Sequence, residues 1–359
     1  MSVIQEGSKQ EDVYFNFINS IKSEVTKKIY EYNIKIFMKF CGIENFYDLS
    51  IIASPQNQIV KHLMSLREKG LSTNSISTRL NAIYHLYDMN DVALNKKKIN
   101  MFKGECSRKI VDRAYTHEEI KKILDVSDLR SKVIILSMST AGMRIGALPS
   151  IRLRNIEKID LIYKITVYEG SNSQYDTFCT PECASFIDAY LEYRKRNGEN
   201  LHDNSFLIRE QFDITDLEQI RNRSKGISVN GIGDLLSIIL VKAGIRRIDH
   251  TSRNRKEVAR AHGFRKFFTT QLINSKVNSE IREMLLGHKI GLASCYYRPT
   301  QEDMLNEYEK GIDNLTINEE NRLKLKLEKS IQIEKSKIDE LKADFEKLKN
   351  EVLKQRSKR

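Results

Sequence analysis

Helical periodicity runs through almost the whole 359-residue chain and is interrupted once, between residues 151 and 180. There Ile165, Thr166, Val167 and Thr177 are β-branched, and Gly170-Ser171-Asn172-Ser173 lies between them. β-Branched side chains are stiff at χ1 and suit a pleated surface, while Gly, Ser and Asn supply turn conformations. The segment is long enough for one hairpin or a three-stranded sheet and no more. The fold class that follows is mainly α with a small β-sheet (α+β). The length is too great for one ordinary core and comfortable for two domains.

Residues 1–10 read as a loose tail, and residues 11–102 as a helical module. Phe15 and Ile18 open an apolar face, which Ile29, Tyr32, Ile36 and Phe40 continue at helical spacing, with Gly42 as a stop. A helix over Pro55–Lys69 ends at Gly70. Ser72 or Thr73 caps another, whose apolar face is Ile76, Leu80, Ile83 and Leu86. A basic stretch follows, with Lys96, Lys97, Lys98, Lys103, Arg108, Lys109 and Arg113 outnumbering Glu105 and Asp112. It reads as an interdomain linker centred on residues 103–114, either a solvated loop or a segment lying on nucleic acid.

A second domain spans residues 115–316. Thr116 and Glu119 make a capping box ahead of its first helix, and Val133, Ile134, Ile135 and Leu136 mark a strongly apolar one. Helical patterns return over Pro181–Arg196 and Val229–Ala243. In residues 317–359, Leu327, Ile331, Ile338, Leu341, Phe345, Leu348 and Val352 hold the a/d positions of one heptad frame, broken by Glu334. A long helix is expected, either in a coiled coil between chains or docked on its own domain.

The net charge of +12 favours a polyanionic partner, since Lys and Arg that neutralise phosphates release bound counterions. The five cysteines at 41, 106, 179, 183 and 295 form no CxxC pair or Cys/His ligand set, so no metal and no disulfide framework is expected. A reduced cytoplasmic compartment fits, with nucleoid association when nucleic acid is bound. No run of about 18 apolar residues is present, and the first residues lack the apolar core of a secretory signal, so no membrane partner is expected.

Four short stretches carry the chemistry: Thr140-Ala141-Gly142-Met143-Arg144-Ile145-Gly146, His262-Gly263-Phe264-Arg265-Lys266-Phe267-Phe268, Leu286-Gly287-His288 and Tyr296-Tyr297. Singly, each has an ordinary explanation: a surface arginine, a polar helix face, a helix C-cap, packing tyrosines. Together, in this order, and with Tyr297 nine residues after His288, they resemble the tyrosine recombinases, also called the phage integrase family. The resemblance covers roughly residues 114–310 and, more loosely, the helical module before them, which is similar to the family's core-binding (SAM-like) domain.

The resemblance implies a site-specific DNA recombinase or integrase acting on double-stranded DNA, as a homotetramer and without small-molecule cofactor or metal. It implies Tyr297 as the nucleophile that forms a 3′-phosphotyrosine, so that the bond energy is stored and no ATP is needed. Arg144 and Arg265 would clamp the non-bridging oxygens as charge builds there. His262 would be a base or proton relay, and His288 a donor to the phosphate. The basic run Arg246, Arg247, Arg253, Arg255, Lys256 and Arg260 would face DNA. Two departures stand out. Ala147 occupies the place of an acidic residue, and the turn Glu169-Gly170-Ser171-Asn172-Ser173-Gln174 lacks the lysine that protonates the leaving oxygen, with Lys164 a weak substitute earlier on the strand. The alternatives are a type IB topoisomerase-like nicking-closing enzyme and a DNA-binding protein whose catalytic set is impaired.

Overall fold

Side-chain caps define where most helices begin. The computed structural model describes residues 12–104, 112–221, 224–247, 257–291 and 296–328, with short further runs to residue 342. They fall into two compact units, one before and one after the 105–111 stretch. The first unit holds α1 (residues 12–19), α2 (Glu24–Cys41), α3 (Phe46–Ser50), α4 (Pro55–Glu68), α5 (Thr73–Met89) and α6 (Lys96–Met101). Ser23, Asn45, Ser72 and Asn95 each accept a backbone N–H three residues on, satisfying donors that a helix start leaves free. Residues 1–10 lie outside the described residues.

The core of this unit corrects two expectations. Ile29, Tyr32 and Phe40 are exposed, whereas Ile34, Phe37 and Met38 on the same helix are buried. Phe15 is likewise exposed while Val13, Phe17 and Ile21 are buried. α2 carries two apolar stripes, and the one that packs on α4 and α5 makes the core. The first three lysines of the basic stretch belong to the helical unit. Lys96, Lys97 and Lys98 open α6, which is tied down by the fully buried Ile99 and by Arg67, which donates to the Phe102 carbonyl at 2.9 Å.

His62 of α4 is packed between Phe37 and Phe40, and neither ring nitrogen has a hydrogen-bond partner. Burial, reinforced by Arg79 and Lys69, lowers its pKa to about 4. The unfolded chain therefore binds a proton near pH 6.5 that the folded one refuses. The resulting stability is complete above that pH and is lost as pH falls toward 4, by up to ~3 kcal/mol. His62→Leu should flatten the decline in urea midpoint between pH 7 and pH 4.5. An unchanged decline would show that other groups govern acid unfolding of the full chain.

The second unit begins with α7 (His117–Asp125), where Thr116 and Glu119 form the full capping box, and α8 (Leu129–Thr140). The sheet is β1 (Ile156–Ile159), β2 (Ile162–Val167) and β3 (Tyr175–Phe178), antiparallel in the order β1-β2-β3. Ile156 pairs with Ile165, and Val167 with Tyr175. Then come α9 (Pro181–Arg196), α10 (Leu217–Arg221), α11 (Val229–Lys242), α12 (His262–Asn274), α13 (Ser279–Leu285), α14 (Gln301–Glu309) and α15 (Ile312–Leu315). α8 packs against α9 and α12, and its residues from Val133 to Thr140 are all buried, the apolar run Val133–Leu136 together with the small polar Ser137, Ser139 and Thr140. α13 lies against β3, and this places the Leu286-Gly287-His288 turn beside the sheet. The fold is mainly α with a small antiparallel sheet.

After α15, the Glu182 carboxylate of α9 accepts the backbone N–H groups of Ile317 (2.7 Å) and Asn318 (3.0 Å), which roots the tail on the unit. Residues 319–328 are helical, and Leu327, Ile331, Ile338 and Leu341 are exposed rather than packed on their own domain. Phe345, Leu348 and Val352 lie outside the described residues. Among the described residues no helix is long and apolar enough to cross a membrane.

Candidate active site

Two glycines let the motif loops approach one another. Gly142 and Gly287 both have left-handed backbone conformations, φ +61° and +62°. A Cβ at Gly142 would fall inside the Phe268 ring of α12, and one at Gly287 inside the Tyr175 ring of β3. Any side chain at either place would meet strain and overlap together. Arg144 thus leaves the end of α8 close to α12, and His288 emerges from the C-terminal cap of α13.

Arg265 is the keystone of the arrangement. It lies on α12 and is 4% exposed. Its guanidinium donates to the Gly142 carbonyl and to the Leu286 carbonyl, and its Nη2 sits 3.0 Å from His288 Nε2. Arg144, half-buried, donates from Nη1 to the same Leu286 carbonyl at 3.2 Å. Two permanent cations thus meet at one neutral oxygen. Burial and the neighbouring Arg144 charge both pull the Arg265 pKa down, the sign of a site short of negative charge. On the far side of the imidazole, His288 Nδ1 lies 2.6 Å from the Glu283 carboxylate.

His262 opens α12 and is exposed, three residues before Arg265. Burial of part of its ring, then Lys266 and Arg265, lower its pKa, with Asp112 opposing, so the neutral base form is favoured. Lys266 itself pairs with Asp112 at 2.8 Å. A cleft of about 350 Å³ is lined by His262, Arg265, Lys266, Glu283, Leu286 and His288, among others. Its lining has the size and the donors to seat a single phosphate group. Of the expected residues, Arg265, His262 and His288 line this cleft, and Arg144 joins them through the Leu286 carbonyl. Tyr297 does not: among the described residues no hydrogen bond joins it to the others. It is 36% exposed, against 90% for Tyr296.

Three residues were missed by sequence reasoning. Glu283 lies one helical turn before Leu286-Gly287-His288, and an acid so placed was a usable signal. The Leu286 carbonyl is a backbone group and carries no signal in side-chain identity. Tyr175 of β3 sits against both arginines. Burial raises its phenol pKa even though both guanidinium charges pull it down.

The departures noted in the sequence take physical form. Ala147 is fully buried and brings no carboxylate to the site. In the turn, Glu169 is engaged by Arg154 and Asn155, each at 2.9 Å. Lys164 is held away from the turn: its ammonium pairs with Glu157 at 2.5 Å and donates to Gln301 at 2.9 Å. Two residues of the basic run bond within the unit. Arg246 donates to the Val258 carbonyl and Arg260 to Ser237, both at 2.6 Å, leaving Arg247 exposed. Arg253, Arg255 and Lys256 lie outside the described residues.

Comparison with known proteins bears on the fold and the family. A search of curated proteins finds no match. Among solved structures, the chain is similar to the integrase of the Tn1549 transposon in complex with transposon right end DNA, at 15% identity. That match covers 84% of this chain and 99% of that one, with a TM-score of 0.58. It is also similar to the XerH site-specific recombinase bound to palindromic difH substrate, at 16% identity over 79% and 78% of the two chains, TM-score 0.52. A lambda integrase dimer bound to a COC′ core site matches at 14% identity over 80% and 94%, TM-score 0.51. At these identities the likeness is one of fold. The family model described as "Phage integrase family" matches residues 113–302, over half of the chain and all four motif stretches. With the motifs, the fold and the family model in agreement, the chain belongs to the phage integrase family, the tyrosine recombinases.

Proposed function

We propose that the protein is a site-specific DNA recombinase that cleaves and rejoins strands through a covalent 3′-phosphotyrosine at Tyr297. The observation that carries this reading is the convergence of Arg144 and Arg265 on the Leu286 carbonyl, with His288 hydrogen-bonded to Arg265 in the same cleft. A group of rigid donors around an electron-poor centre is what a phosphodiester needs as charge builds on its non-bridging oxygens. In this reading the two arginines hold those oxygens, and neutral His262 takes the tyrosine proton. His288, hydrogen-bonded to Arg265, holds that arginine at the cleft. The helical first unit contributes DNA contacts, and the +12 charge supplies long-range attraction. The DNA complexes of the Tn1549, XerH and lambda relatives support duplex DNA as the partner.

The direct test is incubation with end-labelled suicide duplexes. A protein–DNA adduct that survives denaturation and forms in EDTA is the expected result. A second reading, slow or impaired cleavage, draws on Lys164, whose ammonium is occupied by Glu157 and Gln301. Relaxation of supercoiled plasmid without any particular site would point instead to a topoisomerase-like activity.

The exposed apolar side chains of the C-terminal helix support assembly through a second copy, within a homotetramer on DNA. Glu334 at a d position weakens such a coil, so association belongs mainly to DNA-bound protein, where local concentration is high. Deleting residues 318–359 should leave half-site binding and suicide cleavage largely intact, while pairing of two sites and strand exchange drop. Full-rate recombination by the truncated protein would remove the helix from assembly.

A further inference from the structure

Charge around the Leu286 carbonyl is lopsided, and Glu283 is a carboxylate that reaches it through His288. Arg144 and Arg265 are cations drawn to a single carbonyl. Among the described residues, Glu283 is the carboxylate hydrogen-bonded into this group, through His288. It is fixed from several directions. α13 is anchored by buried Ile281 and Leu285, and the αL conformation of Gly287 turns the chain back so that the His288 backbone N–H donates to the Glu283 carbonyl at 2.9 Å. Backbone and side chain of His288 therefore meet the same residue. Arg282 lies 3.4 Å from the other carboxylate oxygen. Burial works to raise the Glu283 pKa, but His288 and Arg282 together hold it below the usual range, so the group is ionised at neutral pH.

The two contacts of the imidazole dictate its protonation pattern. A guanidinium has donors only, so His288 Nε2, 3.0 Å from Arg265 Nη2, must accept. An ionised carboxylate accepts only, so Nδ1, 2.6 Å from Glu283, must carry the hydrogen. The opposite tautomer would set Nε2–H against a guanidinium N–H and Nδ1 against a carboxylate, and would be repelled at both ends. We propose that Glu283 is a positioning residue: by fixing the Nδ1–H tautomer of His288 it makes Nε2 the acceptor that aims the Arg265 guanidinium into the cleft. The proposal rests on reading Arg265 and His288 as part of the reacting site. It goes beyond that reading in assigning an acid outside the four motif stretches to the aim of the clamp. A carboxylate behind a histidine is a common way to fix its tautomer and ring orientation.

The test combines spectroscopy with kinetics on the full chain. Long-range ¹H–¹⁵N spectra of histidine-labelled protein, with the His288 signal identified by its loss in His288→Asn, should show the Nδ1–H tautomer in the wild type. Glu283→Leu should populate the Nε2–H form and slow suicide cleavage by about 10–100-fold, with DNA binding and melting temperature unchanged. Glu283→Asp, which keeps the charge, should recover part of the rate, and this separates positioning from simple packing. A wild-type ring that is mainly Nε2–H overturns the proposal. So does Glu283→Leu cleavage within twofold of wild type while Arg265→Ala is crippled. If Arg265→Ala itself cleaves normally, the reading of the cleft fails first and Glu283 falls with it.

Discussion

The Tyr297→Phe protein is expected to bind duplex DNA as the wild type does and to leave no covalent adduct on a denaturing gel. On the proposed assignment, removing one oxygen eliminates the nucleophile, so the loss is complete rather than partial. The change costs little stability, because the Tyr297 hydroxyl has no hydrogen bond among the described residues and the side chain is 36% exposed. Tyr296 is the competing candidate. It is 90% exposed and one position off the nine-residue spacing from His288. Tyr296→Phe should therefore form adduct at the normal yield. The reverse pattern, adduct retained in Tyr297→Phe and lost in Tyr296→Phe, would show that the nucleophile is the neighbour.

How much of this was legible in the sequence depended on whether a signal was local. Helix starts were, because Ser72, Thr116 and the capping box write themselves into adjacent residues. The sheet was, because its turn and its β-branched residues lie within one short segment. The core face of α2 was not. Two apolar stripes run along that helix, and only packing on α4 and α5 selects between Ile34 with Phe37 and Ile29 with Tyr32. Long-range charge pairing was equally hidden. Arg194 and Arg209, both buried to 2% exposure or less, share the Glu199 carboxylate, and no local pattern in the sequence marks them as a buried pair. Within the basic run before His262, the bonds of Arg246 to the Val258 carbonyl and of Arg260 to Ser237 were equally hidden. In the site, residue types and spacing identified four side chains that meet. They were silent on the Leu286 carbonyl, which organises both arginines, and on the contact that turns Glu283 into a partner of His288.

Arg144→Ala and Arg265→Ala should each slow single-turnover cleavage by at least about 100-fold at saturating DNA, since on the proposed reading each removes a donor aimed at charge that develops in the transition state. The two substitutions differ in what else they disturb. Arg144 makes one 3.2 Å hydrogen bond and is half-buried, so its removal should leave the melting temperature nearly unchanged. Arg265 is buried and bridges the Gly142 and Leu286 carbonyls, which belong to two of the motif loops. Its loss leaves buried acceptors short of a donor, a cost of roughly 1–3 kcal/mol, and frees the loops that carry Arg144 and His288. Arg265→Ala should therefore be both less stable and at least as slow. Arg265→Lys separates the two effects: an ammonium keeps the charge but cannot span both carbonyls in a fixed fork, so most of the rate defect should persist. Near-wild-type cleavage by either alanine variant, with binding intact, would remove that arginine from the reacting site. A full rate for Arg265→Lys would mean that charge alone, and not the shape of the guanidinium, is what the cleft requires.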